Sequence, residues 1–214
     1  MAKQIVSSQG TAIDMPAGPS EVAVFADAGA NAAFVAADLL SQAEHGVDSQ
    51  VLLVCTNESF IQKVQIEIEQ QLDALPRKET ALAALENSKA VFVETEKLAL
   101  EILNQYAAEH LILAIRNADE FAEKVVNAGS IFIGDYTPES CGDYASGTNH
   151  TLPTNGFAKA YSGVSVDSFV KKITMQKISP EGLKNIGNTV EVMAEAEGLM
   201  AHKNAVTIRL SSSL

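Results

Sequence analysis

Five short runs of almost unbroken apolar residues, separated by helix-like stretches, constrain this chain more than any other feature. They are Glu21–Ala26, Val51–Cys55, Ala90–Val93, Leu111–Ile115 and Ser130–Gly134. A strand with one wet face alternates apolar and polar residues; these do not, so both faces must be covered, as in a parallel sheet between layers of helices. The stretches between them supply the helices. Ala30–His45 carries Phe34, Val35, Leu39 and Leu40 at helical spacing, with Gly46 placed as a C-cap. Asn57 caps an amphipathic helix through Phe60, Ile61, Val64, Ile68 and Leu72, which Pro76 stops. Shorter helices are predicted over Glu79–Leu85, Thr95–Ala108 and Asn117–Asn127. The expected fold is α/β, a Rossmann-like parallel sheet with helices on both faces. Ligands of such sheets sit beyond the carboxyl ends of the strands, so a site is expected there.

The stretch that follows the fifth strand has a different character. Cys141-Gly-Asp143-Tyr-Ala-Ser-Gly-Thr-Asn149-His150-Thr-Leu-Pro153-Thr-Asn155-Gly156 is dense in small, turn-forming residues and is expected to be a loop, not a helix or strand. Asp143 and His150 are its ionisable pair, which suits either a working loop or an exposed one with a chance histidine. After Gly156 the pattern changes, which divides the chain into an α/β domain over 1–156 and a C-terminal unit over 157–214. In that unit Ser179-Pro180 opens a helix toward Glu197, Gly198 interrupts it, and Asn204–Leu210 is expected to form a strand.

Charge narrows the function classes. Among 214 residues, 15 basic side chains face 27 acidic ones, a net charge of -12 with no basic cluster, which argues against nucleic acid or an anionic membrane as partner. The amino terminus lacks the apolar core of a signal peptide, and no run is long enough to span a bilayer, so a cytoplasmic protein is expected. Two cysteines, Cys55 in a buried strand and Cys141 in the loop, make neither a CxxC pair nor a disulfide framework; Cys141 is either a reactive thiol or a bystander.

The four histidines each lie near an acid, an amide or a glycine turn. Gln42 and His45, three apart, share one face of a helix end, where they could join Asp143 around a borderline ion such as zinc, or where His45 could simply answer the helix dipole. Glu109-His110 stands between a helix and the fourth strand, as a proton-transfer pair or a polar junction. Glu197 and His202 flank Gly198 near the end of the chain, where by themselves they read as a solvated helix end.

Together these segments resemble the histidinol dehydrogenase family. The resemblance rests on Asp14-Met-Pro-Ala-Gly-Pro-Ser-Glu-Val22, Ala37-Asp-Leu-Leu-Ser-Gln-Ala-Glu-His45, Tyr106-Ala-Ala-Glu-His110, Ala128-Gly-Ser-Ile-Phe-Ile-Gly-Asp-Tyr136, Gly142-Asp-Tyr-Ala-Ser-Gly-Thr-Asn-His150, Leu152-Pro-Thr-Asn-Gly156 and Glu197-Gly-Leu-Met-Ala-His202. It implies the NAD-dependent oxidation of L-histidinol to L-histidine at a zinc site in a homodimer with shared active sites. By that resemblance Gln42, His45 and Asp143 match zinc ligands, and His202 matches a fourth supplied to the partner subunit. Glu109 and His110 match the catalytic pair, the first activating water and the second taking the alcohol proton. Ser20 and Glu197 match substrate contacts, Glu197 across the dimer, and His150 is expected close to the substrate. The metal ligands and His110 also count among the substrate-binding residues.

The resemblance covers only the carboxyl-terminal half of that family, whose NAD contacts fall in the other half; no GxGxxG loop occurs here. Two expectations of different class follow: a catalytic half that oxidises histidinol when joined to its cofactor-binding portion, or a zinc- and histidinol-binding dimeric module without dehydrogenase activity.

Overall fold

The structure, a computed structural model, describes residues 2–16 and 18–212; Ala17, inside the Asp14–Val22 motif, lies outside the described residues. The described chain forms two compact units, 1–170 and 171–214.

In the first unit a short helix α1 (Ala2–Ser8) precedes five strands, β1 (Glu21–Ala26), β2 (Gln50–Cys55), β3 (Lys89–Phe92), β4 (His110–Ala114) and β5 (Ser130–Ile133). All pair in parallel, in the order β3-β2-β1-β4-β5. The expected parallel α/β sheet is present. The helices between strands are α2 (Ala32–Ala43), α3 (Glu58–Leu72), α4 (Lys78–Glu86), α5 (Glu96–Tyr106) and α6 (Ala118–Ala122). Caps set their starts: Asn31 Oδ1 accepts from the N–H groups of Ala33 and Phe34, Asn57 Oδ1 from Phe60, and Thr95 Oγ1 from Leu98.

β1 is the axis of the unit, with all six of its residues buried between β2 and β4. Because side chains alternate across a strand, Val22, Val24 and Ala26 meet α2, α3 and α4 in one core, while Ala23 and Phe25 meet α5 and α6 in another. Phe25 packs its ring on Phe121 with centroids 4.7 Å apart. The carboxyl ends of β1 and β4 are latched by Asp27, whose Oδ1 accepts from Gly29 N–H and Oδ2 from Arg116 N–H.

Three elements differ from the sequence expectation. The helix over Asn117–Asn127 is cut to α6, because Asn104 Oδ1 accepts from the N–H groups of Val126 and Asn127 and holds them against α5. The glycine-rich stretch is not loop throughout: α7 (Glu139–Tyr144) includes Cys141, Gly142 and Asp143. Gly142 is required there, since a Cβ would meet the Phe132 ring at 2.7 Å. Beyond α7 the segment is irregular but partly inside, with Leu152, Pro153 and Thr154 buried.

The second unit is a pair of helices, α8 (Pro180–Ala196) and α9 (Met200–Ser211). Ser179 caps α8 with Pro180 at its first position. The strand expected over Asn204–Leu210 is instead part of α9. Val206, Thr207 and Ile208 favour strand locally, but tertiary pairing overrides that preference. The pairs Gly187 with Leu210, Glu191 with Thr207 and Glu195 with Lys203 step in opposite directions along the two helices, which makes an antiparallel hairpin. Gly198, at φ +73°, turns it. Among the described residues no helix is long and apolar enough to cross a membrane.

Replacing Phe25 by alanine empties the centre of one core and is expected to cost about 3–5 kcal/mol of unfolding free energy. Urea denaturation followed by circular dichroism measures it.

Candidate active site

The ionisable cluster forms at the amino-terminal ends of β1 and β4, not beyond their carboxyl ends as the fold class suggests. Glu109 immediately precedes β4, and His110 is its first residue, paired in register with Val22 of β1. The chain after β5 folds back to reach this end. Its return is fastened by the Gly18 N–H donating to Thr154 Oγ1 at 2.7 Å, and by Gly129, where a Cβ would lie 2.5 Å from the Glu109 carbonyl oxygen and 3.1 Å from Leu152. α7 thereby brings its acids against the start of β4.

His110 is the centre of the cluster, 3 % exposed, on the face of the sheet that α2 covers and with its ring centroid 5.8 Å from that of Phe132. Three carboxylates surround it. Glu109 Oε2 lies 3.8 Å and Glu139 Oε2 3.7 Å from Nδ1, while Asp143 Oδ1 lies 3.6 Å from Nε2. None of these is a hydrogen bond, and both ring nitrogens lack a partner. Burial pushes the His110 pKa down, partly offset by the attraction of Asp143, so the ring is neutral at neutral pH. The nearby His45 also lowers it.

The acids respond in the opposite sense. Burial raises the Glu109 carboxyl to about 7, against the lowering effect of the Glu21 N–H, which donates to Glu109 Oε2 at 3.1 Å. Burial raises Glu139 to about 8, Asp38 to about 7 and Glu21 above its ordinary value. Glu139 was not singled out by sequence, yet it is only 2 % exposed and joins His110 to α2: its Oε1 lies 2.8 Å from Ser41 Oγ. The signal was its spacing, since Glu139 and Asp143 are four apart and so share one face of a helix.

α2 ends beside this cluster. Gln42 is fully buried, its Nε2 is 3.4 Å from His45 Nδ1, and its carbonyl oxygen Oε1 has no partner. A buried oxygen without a donor is costly, and a cation would satisfy it. The chemistry of the donor set, one amide oxygen, one imidazole and one carboxylate at Asp143, fits zinc with a further ligand to be supplied. Among the described residues, however, no three of His, Cys, Asp and Glu stand together as a metal-binding group. His45 also borders, with Ser20 and Gly46, an open depression of about 470 Å³.

The structure therefore brings Glu109, His110 and Asp143 together, with His45 close enough to be felt at His110. Gln42 touches His45, and Ser20 borders the same depression. His150 is exposed, between α7 and Phe157. Glu197, the C-cap residue of α8, and His202, on α9, are exposed residues of the second unit. Cys141 is an exposed free thiol.

The family model described as histidinol dehydrogenase matches residues 1–210. The chain belongs to the histidinol dehydrogenase family. Similar relatives include the histidinol dehydrogenase of Bacteroides thetaiotaomicron, 63% identical over 211 residues, a match that covers 99% of this chain and 49% of the relative. That of Haemophilus influenzae is 56% identical over 210 residues, covering 98% and 49%. The crystal structure of histidinol dehydrogenase from Elizabethkingia anophelis superposes with a TM-score of 0.94 at 57% identity, covering 98% of this chain and 48% of that one. The chain thus spans about half the length of the histidinol dehydrogenases it matches.

The acids also set how the stability of this family member depends on pH. Carboxyls whose folded pKa is raised bind more protons folded than unfolded, so their stabilising share is complete below the ordinary carboxyl range and is lost as pH rises through about 7 to 8. The His110 shift acts below its ordinary value and has the opposite slope there. With EDTA present, the thermal midpoint is expected to fall as pH is raised from neutral to above 8, and Glu139→Gln is expected to flatten that fall. Differential scanning calorimetry across a pH series checks both.

Proposed function

We propose that this chain is the zinc- and substrate-binding half of an enzyme that oxidises L-histidinol to L-histidine with NAD, through an aldehyde. The observation that carries the proposal is the convergence of Glu109, His110 and Asp143, from two separate segments, on one buried spot beside Gln42 and His45. Gln42, His45 and Asp143 would hold zinc, with His202 of a second copy as the fourth ligand in a homodimer with shared sites. Zinc bound there would grip the imidazole and amine of the substrate and keep the aldehyde from escaping.

The remaining work falls to side chains of this chain. His110, neutral because it is buried, accepts the alcohol proton in each oxidation. Glu109, with a carboxyl held near 7, is balanced to take a proton from the water that attacks the aldehyde carbon. Ser20 and Glu197 orient the substrate, the latter across the dimer, and His150 completes its surroundings. Two molecules of NAD, used in turn, would each accept two electrons, and their contacts would lie in the part of the full-length relatives that this chain does not span.

One observation favours a second reading for the polypeptide by itself. The chain spans about half the length of each relative, which fits a module that binds zinc and histidinol without forming NADH. The two readings separate in one experiment on the purified chain: zinc content, histidinol affinity by calorimetry, and NADH formation with excess NAD. Zinc and histidinol binding without NADH supports the module; NADH formation supports a complete catalyst. His45→Ala and Asp143→Ala are each expected to weaken zinc binding at least 100-fold, and unchanged metal content in both would overturn the ligand set.

A further inference from the structure

The segment that returns after β5 contains a turn that its sequence prescribes. Asn155-Gly156 is a pair that a type I′ turn favours, because both central residues take positive φ. Here φ is +55° at Asn155 and +73° at Gly156, and the Phe157 N–H closes the turn on the Thr154 carbonyl oxygen at 3.0 Å. Thr154, the first corner, is only 5 % exposed, and its Oγ1 accepts the Gly18 N–H at 2.7 Å. The two backbones approach closely: a Cβ on Gly18 would lie 3.0 Å from Thr154 Oγ1 and 3.2 Å from Asn155 Cβ.

What this hydrogen bond holds is the strap Gly18-Pro19-Ser20 that leads into β1. One end of the strap is tied to β2, where the Ser20 carbonyl oxygen accepts the Gln50 N–H at 3.2 Å. The other end is tied to Thr154. Between them Pro19 has no N–H of its own and locks φ, so a displacement of Gly18 is passed on to Ser20 and not absorbed. All three strap residues line the depression of about 470 Å³ that His45 and Gly46 also line. Thr154 is not among its lining residues and reaches the depression only through the strap.

We propose that Thr154 is a positioning residue: its hydroxyl, fixed by the Asn155-Gly156 turn, anchors the Gly18–Ser20 strap and so sets Ser20 at the wall of the depression it shares with His45. The value of this to substrate binding rests on the reading of Ser20 as a substrate contact. A group held in place before the ligand arrives loses less freedom on binding, so the anchor is expected to act on affinity for the substrate and not on the metal. The hydroxyl is what the role requires. Valine has nearly the shape of threonine but offers no acceptor, whereas serine keeps the oxygen and loses only a methyl group. Gly18 is exposed, so its N–H finds water when the acceptor is removed, and the fold itself is expected to survive the change.

The test uses the 214-residue chain, unaltered and as Thr154→Val and Thr154→Ser, with two readouts. The first is amide hydrogen exchange and ¹⁵N relaxation by NMR. In Thr154→Val the Gly18 amide is expected to exchange about 3- to 10-fold faster and Ser20 to gain motion, with the Val22–Ala26 amides unchanged and both effects reversed in Thr154→Ser. The second is histidinol affinity by calorimetry with zinc present. Thr154→Val is expected to weaken it about 3- to 10-fold at unchanged zinc content, Thr154→Ser to restore it, and Thr154→Val to add nothing in a Ser20→Ala background, since the two residues act as one. Unchanged Gly18 and Ser20 signals in the valine variant overturn the proposal, as does a serine variant that behaves like valine. A full further loss of affinity in the Ser20→Ala background overturns it too. If the valine variant does not fold, the Gly18 amide of the unaltered chain and its retention in the serine variant decide, and an unprotected Gly18 amide refutes the anchor. The NMR readout needs neither zinc nor histidinol: an anchored strap in a chain that binds no histidinol refutes the functional reading and leaves Thr154 in its role, whereas unchanged strap signals in a chain that binds histidinol do the reverse.

Discussion

Acidic side chains buried around one imidazole are the constraint to which the rest of this structure answers. A carboxylate taken out of water must find donors, a cation or a proton. Glu109 finds the first N–H of β1, and Glu139 finds Ser41. At position 42 the chain uses an amide in place of another acid, which adds an oxygen to the cluster without adding charge. The unpaired Gln42 oxygen and the unpaired nitrogens of His110 are the polar capacity left over, and they mark where a ligand completes the site.

Packing makes this concentration of polar groups possible. Two positions without side chains bring the returning segment close enough: Gly129 against the Glu109 backbone, and Gly142 against the Phe132 ring that neighbours His110. Phe132 belongs to the same core as α2, so the site wall and the hydrophobic core are one surface. The strength of the electrostatics depends on that apolar wall, because water admitted beside His110 would relax every shift described for its neighbours.

The sheet was legible in sequence because strands covered on both faces announce themselves as unbroken apolar runs, and β1, β2 and β4 could be read almost to the residue. The cluster around His110 was legible through motif resemblance and the pairing of Glu109 with His110. Its place in the sheet was not, because local sequence carries no record of where the segment after β5 turns back. Glu139 was not singled out for the same reason: only the return of α7 onto α2 buries it. The β-branched run Val206–Ile208 misled in the other direction, since the preference it expresses is weaker than the close approach that Gly187 offers Leu210.

The latch at the opposite pole of the sheet has a consequence for what this Rossmann-like frame can hold. In nucleotide-binding sheets the turn after the first strand presents free amide groups, and the following helix start, to a pyrophosphate. Here Asp27 occupies the Gly29 and Arg116 amides, and Asn31 occupies those of Ala33 and Phe34. A phosphate approaching that turn meets a carboxylate already seated in its place. The frame keeps the order of a Rossmann-like sheet while its usual anion seat is filled by its own side chains, so an anion could enter that turn only by displacing Asp27 and Asn31.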